Sequence, residues 1–90
     1  MNKSELVETI AHRADLSKAS AARALEAVMD AIGETLKKGE TVSLVGFGSF
    51  SVAHREARVG RNPRTGKIVQ INAAKMPKFR PGKALKDVIQ

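Results

Sequence analysis

The 90-residue sequence contains no cysteine, tryptophan or tyrosine, and aromatic residues make up only 3% of it. Without cysteine there is no disulfide framework, thiolate metal site or cysteine nucleophile, and the composition suits a reducing cytosol. No run of about 18 apolar residues occurs, so we expect no membrane span and no membrane partner. The first residues lead directly into a polar helix pattern, which predicts that there is no signal peptide.

Acidic residues are also scarce, and they are unevenly distributed along the chain. The sequence has 16 Lys and Arg against 9 Asp and Glu, a formal net charge of +7. Residues 1–50 carry six basic and seven acidic groups, whereas residues 51–90 carry ten basic and two acidic groups. The positive excess therefore lies entirely in the second half of the chain, and it predicts a polyanionic partner for that half.

No group of residues has the pattern of a catalytic or metal site. His12 and His54 are far apart in sequence and lack neighbouring ligands at metal-binding spacing, and no nucleophile has an evident base. The segment Gly60–Lys67 differs from a nucleotide-binding loop, because five residues separate its glycines and Ile68 stands where Ser or Thr must bind magnesium. The sequence therefore predicts no enzyme activity, no metal and no cofactor.

Residues 1–39 have the periodicity of two amphipathic helices. Asn2 followed by Glu5 three positions later is typical of a helix start, and apolar residues follow at helical spacing. Ser17 has the capping preference for a second, longer helix, which Gly39 is expected to terminate. We predict a helical hairpin that forms the dimerisation part of a single 90-residue domain.

After residue 40 the pattern changes to that of β-strands. Thr41–Val45 and Ser49–Ala53 read as two strands around a glycine-containing turn, and the basic stretch to Arg61 continues the second strand. Another strand is predicted at Lys67–Asn72, with Pro77 interrupting near its end, and a short helix over residues 83–90. The predicted class is α+β, with a three-stranded antiparallel sheet in residues 40–82.

The strand pattern predicts a long hairpin arm over residues 52–75. Each strand would have about ten residues and a length of ~35 Å, and its side chains are mostly charged or small. Such an arm has nothing to cover it, so we expect it to protrude. The remaining body of about 65 residues is small and apolar, which predicts an intertwined dimer. Its core would contain all three phenylalanines, Phe47, Phe50 and Phe79.

Basic residues in the predicted arm favour DNA as the partner. Four arginines recur at a spacing of three, and Arg is the residue that best matches phosphate geometry. They are Arg55, Arg58, Arg61 and Arg64. A two-stranded ribbon fits a DNA groove. Pro63 at the tip is a rigid apolar group without an N–H, which suits either a turn or a wedge between base steps.

The motifs of this chain closely resemble those of the bacterial histone-like family of HU and integration host factor proteins. The resemblance is carried by Gly46–Phe50, Arg55, Arg58, Gly60–Lys67 and the two ends, Met1–Ser4 and Phe79–Asp87. It implies an intertwined dimer in the cytoplasm, at the bacterial nucleoid, whose two arms bind, bend and wrap double-stranded DNA through the minor groove with little sequence specificity.

The resemblance also implies roles for individual residues. Pro63 would intercalate at each arm tip, and Asn62 and Lys67 would line the groove with the four arginines. Phosphates along the body would be met by Lys3, Lys75, Lys78, Arg80, Lys83 and Lys86. Bent, nicked or gapped duplexes should bind best, because such DNA already carries part of the deformation.

Alternatives remain at the level of the partner. The two ends of the chain look more like HU, which pairs with itself, but Phe79–Gly82 also occurs in the integration host factor branch. A sequence-selective heterodimer with a paralogue is therefore the alternative to a homodimer. An RNA-binding protein is a second alternative, although the chain lacks Tyr and Trp for stacking on single strands, so RNA ranks behind duplex DNA. An oligomerisation module whose basic arm only confers solubility is a third.

Overall fold

The computed structural model describes all 90 residues and confirms the predicted α+β class. Its elements are α1 (Lys3–Ala14), α2 (Lys18–Lys37), β1 (Val42–Leu44), β2 (Gly48–Arg55), β3 (Arg58–Arg61), β4 (Ile68–Ile71), β5 (Ala74–Pro81) and α3 (Lys83–Ile89). The chain divides into a helical unit, Met1–Glu34, and a sheet unit, Thr35–Gln90. No helix combines the length and hydropathy needed to cross a membrane.

Three of the four ends of the two long helices are fixed by the caps that the sequence predicts. The Glu5 amide donates to Asn2 Oδ1 at 2.8 Å, and the Ser20 amide donates to Ser17 Oγ at 3.1 Å. Gly39 lies just beyond α2 and adopts a φ of +80°. The backbone at this position forms the two hydrogen bonds of a Schellman motif. These local bonds satisfy backbone groups that helix termini otherwise leave unpaired.

The main sheet has the strand order β1-β2-β5, and all of its pairs are antiparallel. Val42 lies opposite Phe50, which in turn lies opposite Phe79. The prediction that Pro77 interrupts a strand is wrong, because β5 runs through Pro77 as far as Pro81. The reason is that β5 is an edge strand, where a residue without an N–H is tolerated.

The predicted continuous strand from His54 to Arg61 is also wrong in one detail. The ladder stops at Arg55 opposite Ala74 and resumes at Arg58 opposite Ile71, so two residues face two residues and the register does not slip. The unpaired segments, 56–57 and 72–73, consist of Glu, Ala, Asn and Ala, all depleted in strands. Beyond this gap, β3 and β4 form a separate two-stranded sheet.

The three phenylalanines form a cluster on one face of the main sheet. The Phe79 ring lies 4.9 Å from that of Phe50 and 5.6 Å from that of Phe47, in tilted arrangements. Gly48 packs against the same ring, since a Cβ built there would lie 2.5 Å from a Phe79 ring atom. Nevertheless, Phe47 and Phe79 remain 47% and 42% exposed, and Ala21 is the only buried hydrophobic residue of the chain. One chain alone does not enclose a core.

Candidate nucleic-acid interface

The strands β3 and β4, with the loop between them, form what we call the distal ribbon. Arg58 lies opposite Ile71 and Arg61 lies opposite Ile68, and opposed residues in an antiparallel pair share a face. Because side chains alternate along a strand, the spacing of three places Arg58 and Arg61 on opposite faces. The distal ribbon therefore carries a guanidinium group on each of its two faces.

Exposed β-branched side chains accompany these arginines. Val59 is 70% exposed and Ile68 is 69% exposed, and Val69 on the other face is also open to solvent. A two-stranded ribbon has no further layer to cover such groups, and isolated ribbons are marginal in water. The combination of exposed apolar groups and cations on both faces is typical of an interaction surface.

Asn62 organises the tip of the distal ribbon. Its amide donates to the Lys67 carbonyl at 2.8 Å, its carbonyl accepts from the Gly66 amide at 2.8 Å, and its Oδ1 accepts from the Arg64 amide at 2.9 Å. Gly66 takes a φ of +71°, which favours glycine. These bonds close a four-residue loop on which Pro63 is exposed. The side-chain oxygen of Asn62, a predicted groove residue, is thus used to hold Pro63 and Arg64 in place.

Arg55 lies at the inner end of the gap between the two sheets. Its Nη2 donates to the backbone carbonyl of Asn72 at 3.1 Å, across the unpaired segments. The hydrogen bond ties the two chain segments together where the ladder is missing. Of the predicted arm residues, Arg55 is therefore the one at the arm's base, while Arg64 and Lys67 lie at its tip.

The register also divides the basic residues of the main sheet between its two faces. Phe50 and Phe79 share their face with the opposed pair of His54 and Lys75. We call the opposite one the polar face. It carries Ser43 from β1, Ser49, Ser51, Ala53 and Arg55 from β2, and Ala74, Met76, Lys78 and Arg80 from β5. The sequence does not single out the serines, because only the register places them beside the cations.

The remaining predicted phosphate-binding residues lie in helices. Lys83 and Lys86 belong to α3, whose start is fixed to a turn by two bonds, from the Gly82 amide to the Phe47 carbonyl at 2.8 Å and from the Leu85 amide to the Gly46 carbonyl at 3.2 Å. Lys3 belongs to the helical unit, where its Nζ forms an ion pair with the Glu26 carboxylate.

Charge is divided sharply between the two structural units. The sheet unit contains twelve basic and three acidic residues, a formal charge of +9, whereas the helical unit contains four basic and six acidic residues, a charge of −2. Both ion pairs of the chain, Lys3–Glu26 and Lys18–Glu8, lie in the helical unit. Every basic side chain of the sheet unit therefore lacks a carboxylate partner, which leaves its positive field uncompensated.

Comparisons with known proteins agree with this distribution of charge. A family model described as "Bacterial DNA-binding protein" matches residues 1–90. Over 89 residues the chain is 60% identical to DNA-binding protein HU-beta of Salmonella typhimurium and 58% identical to that of Escherichia coli, with 99% of each chain covered. A cocrystal structure of Anabaena HU with DNA superimposes with a TM-score of 0.88 at 42% identity, covering 99% of this chain and 97% of that one. The chain therefore belongs to the family of bacterial histone-like DNA-binding proteins.

Proposed function

We propose that this chain is a nucleoid-associated protein that binds, bends and wraps double-stranded DNA as a dimer, with its arms in the minor groove. The observation that carries the proposal is the distal ribbon, which has a cation on each face and an exposed proline on a fixed loop. The proposed role is architectural: the distal ribbon enters a groove of the DNA, and no chemical reaction is catalysed. Its relatives support this function, since the HU proteins are named as DNA-binding and one of them was crystallised with DNA.

The arginines on the two faces of the distal ribbon suit a groove bounded by two sugar-phosphate strands. A ribbon inside the groove has one wall of phosphates on each side, so Arg58 faces one strand while Arg61 faces the other. The minor groove of B-DNA is only about 6 Å wide, so the ribbon enters only if the groove opens. This requirement favours nicked, gapped or flexible duplexes, in which deformation costs least, over regular ones.

Pro63 is proposed to act as the wedge that kinks the duplex. It is exposed, rigid and without an N–H, and the loop bonds of Asn62 define its position. Insertion between base steps costs a few kcal/mol of unstacking, which is offset by the additional phosphate contacts that a bent duplex makes. Those contacts are assigned to Arg55, Arg64 and Lys67 in the arm and to Lys3, Lys75, Lys78, Arg80, Lys83 and Lys86 along the body.

An intertwined homodimer is proposed because one chain leaves too much surface uncovered. The accessible surface of the chain is 7,605 Å², against about 5,100 Å² expected for a folded monomer of its mass. Part of the excess belongs to the arm, but the half-exposed rings of Phe47 and Phe79 belong to the body. With Phe50, they form the core that a second copy would complete. The relatives at 58–60% identity are named HU-beta, so we propose the HU branch, and with it a homodimer in the cytoplasmic nucleoid, over a sequence-selective heterodimer.

The wedge is tested by Pro63→Ala. Resonance energy transfer between dyes at the ends of a gapped duplex should report a clearly smaller bend, while the dissociation constant should rise less than about tenfold, because the phosphate contacts remain. Pro77→Ala is the matched control, since Pro77 lies in β5, away from the loop, and should leave the bend unchanged. An unchanged bend for Pro63→Ala would show that this residue only shapes the turn.

A further inference from the structure

We infer that Ser43, Ser49 and Arg80 form a phosphate-binding row across the polar face of the main sheet, with a phosphodiester of duplex DNA as its ligand. The inference rests on the proposed function and adds two hydroxyl groups that carry no charge signal in the sequence. The three residues come from three different strands, β1, β2 and β5, so only the folded sheet brings them together.

The register places the three residues in one line perpendicular to the strands. Ser43 lies opposite Ser49, and Ser49 lies opposite Arg80, and directly opposed residues share a face with Cβ atoms about 4.5–5.5 Å apart. The face is fixed independently by the neighbours in the chain. A Cβ at Gly48 would strike the Phe79 ring, so the side chains next to Ser49 and Arg80 point toward the phenylalanine cluster. The row therefore lies on the side of the sheet away from that cluster.

The hydroxyl pair has a hydrogen to offer to an external acceptor. The Oγ atoms of Ser43 and Ser49 lie 3.1 Å apart, and one hydroxyl donates to the other. Two hydroxyls carry two hydrogens and this bond uses one, so the accepting hydroxyl retains its own hydrogen for another oxygen. Donating outward while accepting from its neighbour polarises that hydroxyl and strengthens the outward bond. Ser43 is exposed, so an external oxygen has access to the pair.

The positive charge of Arg80 favours an anion as the external acceptor. Its side chain is exposed and has no carboxylate partner, and its planar fork matches two oxygens of a phosphate. A hydroxyl donor beside an unpaired guanidinium suits the singly charged, oxygen-rich phosphodiester. A single hydroxyl beside a cation recurs about 7 Å further along the strands, where Ser51 lies opposite Lys78. The polar face thus offers successive phosphate contacts along one direction.

The test separates the hydroxyls from the charge. Binding to a short gapped duplex is measured by fluorescence anisotropy at salt concentrations from about 50 to about 200 mM. Ser43→Ala with Ser49→Ala should weaken binding about five- to tenfold at every salt concentration, because neutral hydrogen bonds are removed and no counterions are involved. Arg80→Gln should weaken binding and also reduce the slope of log K against log salt by about 0.9 for each phosphate that is no longer neutralised.

Further variants keep the result interpretable. Ser49→Thr retains the hydroxyl and should bind as the unaltered chain does, whereas Ser43→Ala alone, on an exposed edge-strand position, should weaken binding about two- to threefold without affecting folding. Ser20→Ala in the acidic helical unit is the matched control and should have no effect. The serine variants should lose most of their effect when combined with Arg80→Gln, because both act on the same phosphate.

Three results would overturn the row. Unchanged binding by the double serine variant, while the unaltered chain binds DNA, would reject the row and leave the proposed function intact. If the double serine variant reduced the slope of log K against log salt as much as Arg80→Gln does, the serines would only support the arginine. Failure of the unaltered chain to bind the duplex at all would reject the proposed function and the row together.

Discussion

Replacing Arg58 and Arg61 together by alanine is expected to weaken binding to a short gapped duplex by about 100-fold or more at 0.1 M salt. The two guanidinium groups lie on opposite faces of the distal ribbon, so the double substitution removes the cations that we propose to face the two walls of the groove. In a dimer four such groups are removed at once. Neither residue has a carboxylate partner in the protein, so the free energy of unfolding should change little. Fluorescence anisotropy titrations measure the weaker binding, and thermal unfolding measures the stability.

The matched control substitutes two arginines of the helical unit, Arg13→Ala and Arg23→Ala. It removes the same formal charge from the chain but from a unit whose net charge is −2. If overall charge alone caused binding, both double variants would weaken it equally. We expect a large effect only for the arm variant, together with a shallower salt dependence. Equal effects in the two variants would mean that the arm is a solubility device and not a DNA-binding element.

Phe79→Ala is expected to reduce the free energy of unfolding of the dimer by about 3 kcal/mol or more. The Phe79 ring packs against both other phenylalanines, with centroid separations of 4.9 and 5.6 Å, and it also covers Gly48. Its removal leaves a cavity in the centre of the cluster that we propose to be shared by two chains. Denaturant unfolding at several protein concentrations measures the effect, because the stability of an intertwined dimer rises with concentration.

Two further variants define what this destabilisation means. Phe79→Leu retains most of the apolar volume and should cost clearly less than Phe79→Ala. Ile68→Ala removes an apolar side chain of the distal ribbon that is already 69% exposed, so its unfolding midpoint should stay unchanged. A transition that is independent of protein concentration in every variant would count against a core shared between chains.

The helices and the tip of the arm could be predicted from sequence because local chemistry determines them. Asn2, Ser17 and Gly39 act through bonds to residues at most four positions away, so the helix ends are readable without the tertiary fold. The loop between β3 and β4 is equally local, because its bonds all lie within residues 62–67. The exposed position of Pro63 follows from it.

The gap at residues 56–57 and the course of β5 through Pro77 depend instead on the partner strand. A proline is tolerated in β5 because the strand lies at the edge of the sheet, and strand order is not visible in a single sequence. The row of Ser43, Ser49 and Arg80 is hidden for the same reason, since pairing across three strands brings these residues together. Strand alternation does separate Arg58 from Arg61, but only once both are known to lie in one uninterrupted strand.

Light scattering during size-exclusion chromatography, with and without a short gapped duplex, tests the central claim most directly. The account predicts a free protein of about twice the 9.7 kDa chain mass, and a complex heavier by one duplex. The uncovered phenylalanine cluster accounts for the first result and the unpaired cations of the sheet unit for the second. A free protein of 9.7 kDa, or a dimer that leaves the duplex unbound at 0.1 M salt, would contradict it.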